Sequence, residues 1–180
     1  LLNEHAKGVY IIAATPFFDD DSIDYDSLDQ LTDFYLEKGV SGITILGMMG
    51  EAQKLSPDES KNVMNRVIKR VDGRVPVIVG VSNPDIKKLI KLSNSAMAAG
   101  AAGIMVAPNS SHHNDETIFN YYVEVDKALE SKIPMIYQDF PLVTKAPISL
   151  DCLMRIIREI PQVVMLKHED WPGLEKLSEL

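Results

Sequence analysis

A lysine closes an apolar segment in the last part of the chain. Lys167 follows the run Val163–Leu166, which is typical of a buried strand. Burial disfavours the charged ammonium form of a lysine, and the neutral amine is the form that attacks a carbonyl carbon. The position therefore predicts a lysine that forms a Schiff base. The alternative is a strand-end lysine that reaches solvent or pairs with Glu169.

A tyrosine ends another apolar segment. Tyr137 follows the run Ile133–Ile136, and we expect its side chain to face the same end of the sheet as Lys167. A phenol in that position passes a proton to and from an adduct on the lysine, as a general acid and base. The alternative is a buried tyrosine with an ordinary hydrogen bond at the end of a strand.

A loop with a glycine at each end follows the second apolar segment. It reads Gly47-Met48-Met49-Gly50, and Glu51 comes next. Glycines allow the backbone N–H groups of such a loop to turn toward an anion, so the loop predicts a pocket for a substrate carboxylate. An ordinary strand-to-helix turn, with Glu51 as a structural cap, is the alternative.

The histidines and acidic residues carry little signal for a metal. His112 and His113 lie in one loop, and the segment His168–Asp170 lies in another. No two histidines have the His-x-His or His-x-x-x-His spacing that places two metal ligands on one strand or helix. The sequence therefore predicts no metal site, with a metal-dependent aldolase as the remaining alternative. The acidic segment Asp19–Asp21 is interpreted as a solvated loop.

Six short apolar segments alternate with segments of helical periodicity, as in repeated βα units whose parallel strands are buried on both faces. The segment that begins at Ser56 reads Ser-Pro-Asp-Glu, and Asn114 precedes two acidic residues; both patterns indicate helix starts. The predicted strands are Val9–Ala14, Gly42–Leu46, Val75–Val79, Gly103–Ala107, Ile133–Tyr137 and Val163–Lys167.

These units predict an α/β fold of the (β/α)₈ TIM-barrel type. Eight units need roughly 250 residues, so 180 residues with six units predict one partial barrel domain, 1–180, that ends in the helix after strand six. The carboxyl ends of barrel strands meet at one mouth, which would bring Lys167, Tyr137 and Gly47–Gly50 together. An open doubly wound sheet is the alternative, since it fits the length without further units.

Composition narrows the choice of partners. The 18 basic and 26 acidic residues give a net charge of −8, and no basic stripe suits nucleic acid. Cys152 is the single cysteine and lies in an apolar helical pattern, which indicates a buried thiol in a reducing compartment. No apolar run is long enough to cross a bilayer. We therefore expect a cytoplasmic protein with neither a nucleic-acid nor a membrane partner.

Five features in a fixed order resemble the dihydrodipicolinate synthase and N-acetylneuraminate lyase family. They are Thr15-Pro16-Phe17, Gly47-Met48-Met49-Gly50-Glu51, Val75–Val81, Tyr137 and Lys167. The resemblance implies a Schiff-base lysine at Lys167, an active-site tyrosine at Tyr137, and a pocket for the carboxylate of pyruvate on the backbone of Gly47–Gly50. It also implies a full barrel with a C-terminal helical extension, a homotetramer, and no cofactor beyond the imine on the lysine.

The chain departs from the family pattern at three places. Met48 and Met49 replace the two threonines of Gly-Thr-Thr-Gly-Glu, Pro108-Asn109-Ser110 stands where the synthase has Pro-Tyr-Tyr, and Val143 stands at the position of an arginine that holds the second substrate. The imine-forming lysine remains. The sequence therefore predicts a class I lyase or aldolase that acts on pyruvate or another 2-oxo acid. Dihydrodipicolinate synthase of lysine biosynthesis and a catalytically inactive small-molecule-binding barrel are the alternatives.

Overall fold

The computed structural model describes residues 1–129 and 133–180. The six strands are β1 (Tyr10–Ile12), β2 (Gly42–Ile45), β3 (Val77–Gly80), β4 (Gly103–Val106), β5 (Met135–Asp139) and β6 (Val163–His168). The helices are α1 (Tyr25–Glu37), α2 (Pro57–Val71), α3 (Ile86–Ala99), α4 (Asp115–Ala128), α5 (Pro141–Thr144), α6 (Leu150–Glu159) and α7 (Gly173–Glu179), with a 3₁₀ turn at Ala52–Lys54.

The strands form one parallel sheet in the order β1-β2-β3-β4-β5-β6. Every strand pairs with its neighbour in sequence, from Tyr10 opposite Gly42 to Asp139 opposite His168. A doubly wound sheet reverses its strand order at a switch point, and this sheet has no reversal. The alternative of an open doubly wound sheet is therefore wrong, and the winding is that of a (β/α) barrel.

Buried side chains divide between the two faces of the sheet. A large cluster, here called the outer cluster, joins strand residues such as Ile104 to helix residues such as Leu89 and Leu153. A second cluster, here called the inner cluster, contains Ile78, Met105 and Ile136 and no helix residue, so it marks the inner face of the curled sheet. Side chains alternate along the strands, so neighbouring residues generally enter opposite clusters. In β6, however, Val164 and Met165 both pack against the inner cluster, and Leu166 packs against the outer one.

Local capping signals place the helices that cover the outer face. Ser56 Oγ accepts the backbone N–H of Glu59 at 3.2 Å, and Glu59 Oε2 accepts the N–H of Ser56 at 2.8 Å, which completes the predicted capping box. Asn114 caps α4 in the same way through Thr117. These caps satisfy backbone donors that have no partner inside the helix.

The predicted strands differ from the observed ones mainly at their ends. β1 is shorter than predicted, and β5 begins and ends two residues later, so that it continues to Asp139. β6 also extends by one residue to His168. The shift in β5 matters for the site, because it adds Gln138 and Asp139 to the strand. Within residues 1–129 and 133–180, no helix has the length and apolarity to cross a membrane.

Candidate active site

Lys167 lies one residue before the end of β6. Its Cα partner in β5 is Gln138, and paired residues of parallel strands direct their side chains to the same face. Leu166, the preceding residue, packs against the outer cluster, so alternation directs Lys167 to the inner face. The side chain is 24% exposed, and its Nζ lies 2.7 Å from Glu169 Oε2. The amine therefore stands at the carboxyl end of the sheet, in contact with a carboxylate.

Gln138 holds the same carboxylate from the neighbouring strand. Its side chain is buried, and Nε2 donates a hydrogen bond of 2.8 Å to Glu169 Oε2. The backbone N–H of Glu169 also donates to Asp139 O at 2.8 Å, which fixes the loop after β6 against β5. Lys167, Gln138 and Glu169 thus form one contiguous group, here called the lysine cluster.

Sequence reasoning missed Gln138 as a site residue. The predicted strand ends at Tyr137, which leaves Gln138 outside it. A predicted strand that continued for two more residues would have included Gln138. Alternation of side chains along the paired strands would then have placed Gln138 on the same face as Lys167. The sequence predicts Glu169 only as an alternative partner of the lysine at the strand end, or as one residue of a metal site that it does not favour.

Tyr137 points away from Lys167. Its ring stacks on Tyr122 of α4, with centroids 4.7 Å apart, and it belongs to the outer cluster. The predicted placement of Tyr137 at the barrel mouth beside Lys167 is therefore wrong, because Gln138 and not Tyr137 is the residue paired with the lysine. Its hydroxyl is buried with no hydrogen-bond partner among residues 1–129 and 133–180. Burial, followed by the nearby charge of Asp139, raises the pKa of Tyr137 far above its usual value.

The loop Gly47–Gly50 folds as a tight turn. Gly50 N donates to Gly47 O at 3.1 Å and Glu51 N donates to Met48 O at 3.1 Å, so these two N–H groups bond within the turn. Thr15 Oγ1 donates to Gly50 O at 2.7 Å and ties the turn to the end of β1. The turn lies beside the inner face, since a Cβ on Gly47 would lie 3.5 Å from Met105, a member of the inner cluster.

The two methionines of this turn differ in exposure. Met48 is half-buried, whereas Met49 is 64% exposed. Glu51 occupies the left-handed region with φ of 54°, immediately before the 3₁₀ turn, and its carboxylate forms an ion pair with Lys54. The carboxylate-binding role of Gly47, Met48, Met49 and Gly50 remains a prediction.

The residues at the other two departures from the family pattern follow β4 and β5, at the carboxyl end of the sheet. Asn109 Oδ1 accepts the backbone N–H of Ser111 at 2.9 Å, which keeps this side chain inside its own loop. Ser110 is exposed. Val143 lies in the short helix α5 and is 55% exposed. None of the three supplies a group that ionises near neutral pH.

Two of the histidines, His112 and His168, are held by contacts with other side chains. His112 packs its ring 4.3 Å from that of Tyr121, and burial lowers the pKa of His112. His168 Nδ1 lies 3.0 Å from Asp139 Oδ2. Across 1–129 and 133–180, no three His, Cys, Asp or Glu side chains are grouped as metal ligands.

A buried charged group lies on the other side of the sheet from the lysine cluster. Asp139 is fully buried, and its Oδ2 contacts His168 and also accepts a hydrogen bond of 2.8 Å from Lys176 Nζ. Lys176 Nζ also donates to Ile148 O at 3.2 Å and lies 3.3 Å from Asp170. This group anchors α7 to β5 and β6. Sequence reasoning gave no sign of it, because its members are separated by up to 37 residues.

The strand order, together with a lysine at the end of the sixth strand, defines the class of this protein: a (β/α)₈-type barrel with a candidate site at the carboxyl ends of its strands. The model of the Dihydrodipicolinate synthetase family matches residues 5–170. The chain therefore belongs to the dihydrodipicolinate synthetase family, which confirms the resemblance carried by its sequence motifs.

Individual relatives agree with this assignment. A 4-hydroxy-tetrahydrodipicolinate synthase of Sorangium cellulosum (strain So ce56) is 35% identical over 163 residues, which are 89% of this chain and 54% of that protein. The crystal structure of dihydrodipicolinate synthase from Rhodopseudomonas palustris is 44% identical with a TM-score of 0.95, and the match covers 99% of this chain and 59% of that one.

A third relative is known with a small molecule bound. The chloride inhibited dihydrodipicolinate synthase from Acinetobacter baumannii, complexed with pyruvate, is 28% identical with a TM-score of 0.83, over 90% of this chain and 55% of that one. The chain thus spans little more than half the length of each of these relatives. The prediction that it covers part of a (β/α)₈ barrel is confirmed.

Proposed function

We propose that Lys167 forms a Schiff base with a small 2-oxo acid in a lyase or aldolase reaction that makes or breaks a carbon–carbon bond. The observation that carries the proposal is the position of its amine, on the inner face at the carboxyl end of β6 and 2.7 Å from Glu169. Family membership supports the same reaction class. The imine is the only group the proposed chemistry requires, so we propose no cofactor and no metal.

The imine explains why a lysine is placed there. Condensation of the Lys167 amine with a ketone gives a cationic C=N bond, which draws electrons from the neighbouring carbon and stabilises the carbanion formed when a bond at that carbon breaks. The same intermediate serves cleavage and condensation. The turn Gly47–Gly50, beside the inner face, is the proposed holder of the substrate carboxylate.

Pyruvate is the proposed 2-oxo acid. The relative from Acinetobacter baumannii is described as complexed with pyruvate, and it shares the fold of this chain. The replacement of polar residues by Met48 and Met49 makes the site more apolar, which favours an acceptor aldehyde that is less polar or bulkier than that of the synthase.

The second candidate is 4-hydroxy-tetrahydrodipicolinate synthase. The names of the relatives favour it, including the 35% identical protein of Sorangium cellulosum. Met48, Ser110 and Val143 argue against it, because they remove the synthase's hydroxyl relay and the arginine for the second substrate. Turnover of pyruvate with aspartate semialdehyde distinguishes the two candidates, since the lyase proposal expects little or none.

Borohydride trapping tests the Schiff base directly. Treatment of the intact protein with pyruvate and borohydride should add the reduced adduct to the peptide that contains Lys167, as measured by mass spectrometry. Lys167→Ala should abolish the adduct, whereas Lys91→Ala, an exposed lysine of α3, should leave it unchanged. No adduct, or an adduct that persists in Lys167→Ala, would contradict the proposal and would favour a barrel that only binds its ligand.

We also propose that the protein acts in the cytoplasm as a homo-oligomer, a tetramer by analogy with the family, without nucleic-acid or membrane partners. The single cysteine and the net charge of −8 support the compartment and the absence of a nucleic-acid partner. Sedimentation equilibrium of the intact protein measures the oligomeric state.

A further inference from the structure

We infer that Glu169 is the proton-transfer residue of this site: it accepts protons from the amine of Lys167 and delivers them to the departing carbonyl oxygen, while Gln138 positions its carboxylate. The inference rests on the proposed Schiff-base function and names the group that makes imine formation possible near neutral pH. Its basis is the geometry of the lysine cluster.

The two contacts of Glu169 converge on one oxygen. Oε2 lies 2.7 Å from Lys167 Nζ and accepts the amide of Gln138 at 2.8 Å. Both charged side chains are partly buried, with 24% of Lys167 and 29% of Glu169 exposed, and Gln138 is 2% exposed. Reduced contact with water strengthens such a pair, and the amide fixes the carboxylate without competing for the proton.

The amine must lose a proton before it can attack. An ammonium group has no lone pair, and a carboxylate at 2.7 Å is placed to accept its proton directly. Throughout 1–129 and 133–180, Glu169 contributes the only carboxylate within 4 Å of the Lys167 amine. The Tyr137 hydroxyl lies on the helix side of the sheet, and Met48 and Met49 carry no ionisable group.

The remaining charged groups near the end of β6 are engaged elsewhere. Asp139 and His168 lie on the outer face and contact each other, and Lys176 contacts Asp139. Asp170 contacts Lys176 at 3.3 Å. From β5, the residue that faces the lysine is the neutral Gln138. Glu169 is therefore the titratable partner of Lys167 at this end of the sheet.

Imine formation requires a group that accepts a proton twice and donates a proton twice, and one carboxylate can perform all four transfers. Glu169 takes a proton from the ammonium, and the neutral amine attacks C2 of the 2-oxo acid, forming the C–N bond as the carbonyl π pair moves to oxygen. Glu169 gives its proton to that oxygen, then takes a second proton from nitrogen to leave the neutral carbinolamine. Finally it protonates the hydroxyl, which leaves as water as the nitrogen lone pair forms the imine. Both protons end in the water, and Glu169 returns to its carboxylate form.

The test measures the rate of imine formation rather than overall turnover. The intact protein is mixed with pyruvate, quenched with borohydride at set times between pH 6 and pH 10, and assayed for adduct on Lys167. Glu169→Gln should form the adduct about 100-fold more slowly at pH 7, the scale of a lost general acid–base group. Raising the pH should recover only part of the rate, because hydroxide replaces the base that Glu169 provides but not the acid that protonates the leaving hydroxyl.

Several variants separate proton transfer from structure. Glu169→Asp, which keeps the carboxylate, should recover part of the rate, and formate should accelerate Glu169→Ala but not the native protein. Glu175→Gln, an exposed residue of α7, and Tyr137→Phe should both keep the native rate. Near-ultraviolet circular dichroism checks that each variant is folded.

The outcomes distinguish this inference from the function on which it rests. If the native protein gives no adduct on Lys167, the proposed function fails. If it does, and folded Glu169→Gln matches its rate and pH profile, Glu169 transfers no proton and only the inference fails. A slow Tyr137→Phe beside a normal Glu169→Gln would assign the proton transfer to the phenol instead.

Discussion

Two stacked tyrosines test whether the buried hydroxyl of Tyr137 lacks a hydrogen-bond partner. Tyr122 and Tyr137 are both fully buried, and their rings stack with centroids 4.7 Å apart. Tyr122 Oη donates to Val106 O at 2.7 Å, whereas Tyr137 Oη has no partner among the residues that the structure describes. Replacement of each by phenylalanine removes one oxygen from nearly the same environment. The pair therefore isolates the contribution of a single hydrogen bond.

The two substitutions should differ in sign or size. Tyr122→Phe removes a buried donor and leaves its acceptor short of a bond, which lowers the free energy of unfolding by about 1–3 kcal/mol. Tyr137→Phe removes a buried hydroxyl that has no partner within 1–129 and 133–180 and whose desolvation opposes folding, so the free energy of unfolding should stay constant or rise by about 1 kcal/mol. The expected separation between the variants is about 2 kcal/mol.

Urea unfolding followed by far-ultraviolet circular dichroism measures this separation. With a slope of about 1–3 kcal/mol per molar urea for small proteins, 2 kcal/mol moves the midpoint by roughly 1 M. Equal losses in the two variants would refute the reasoning, because they would mean that Tyr137 Oη has a partner.

Two further predictions concern groups on the outer side of the sheet, Asp139 of β5 and Cys152 of α6. Asp139→Asn keeps the shape of the side chain but removes the charge that the largely buried Lys176 contacts, so the free energy of unfolding should fall by about 3 kcal/mol in the same urea assay; an unchanged midpoint would mean that the ion pair is absent in solution. Burial raises the pKa of the Cys152 thiol to about 11. Its reaction with an aromatic disulfide should therefore be slow in the folded protein at pH 7 and rise about tenfold per pH unit up to pH 10, as the thiolate fraction grows; rapid labelling at pH 7 would contradict this.

Much of the architecture follows from the sequence alone. Apolar segments alternating with amphipathic ones predict parallel βα units, since strands covered on both faces need apolar residues throughout. Capping is equally local: Ser56 and Glu59 lie three residues apart, so their mutual hydrogen bonds depend on little beyond the first turn of α2. The position of Lys167 at the end of the last apolar run also required no tertiary information.

The face to which each strand residue points was decided by the tertiary structure. Because β5 is apolar from Met135 to Tyr137, it offers no alternation that separates an inner from an outer side. A one-residue difference in register exchanges the faces, and the pairing of β5 with β6 contains an irregularity between Met135 and Ile136. This register places Gln138 opposite Lys167 and turns Tyr137 toward α4.

Contacts between distant residues were likewise beyond the sequence. Gln138 and Glu169 are 31 residues apart and meet only because β5 and β6 are neighbours with a fixed register. The sequence determined that a lysine would stand at the carboxyl end of a barrel strand. Tertiary pairing decided which proton acceptor stands beside it, since backbone hydrogen bonds between strands, and not local propensity, fix which side chains face one another.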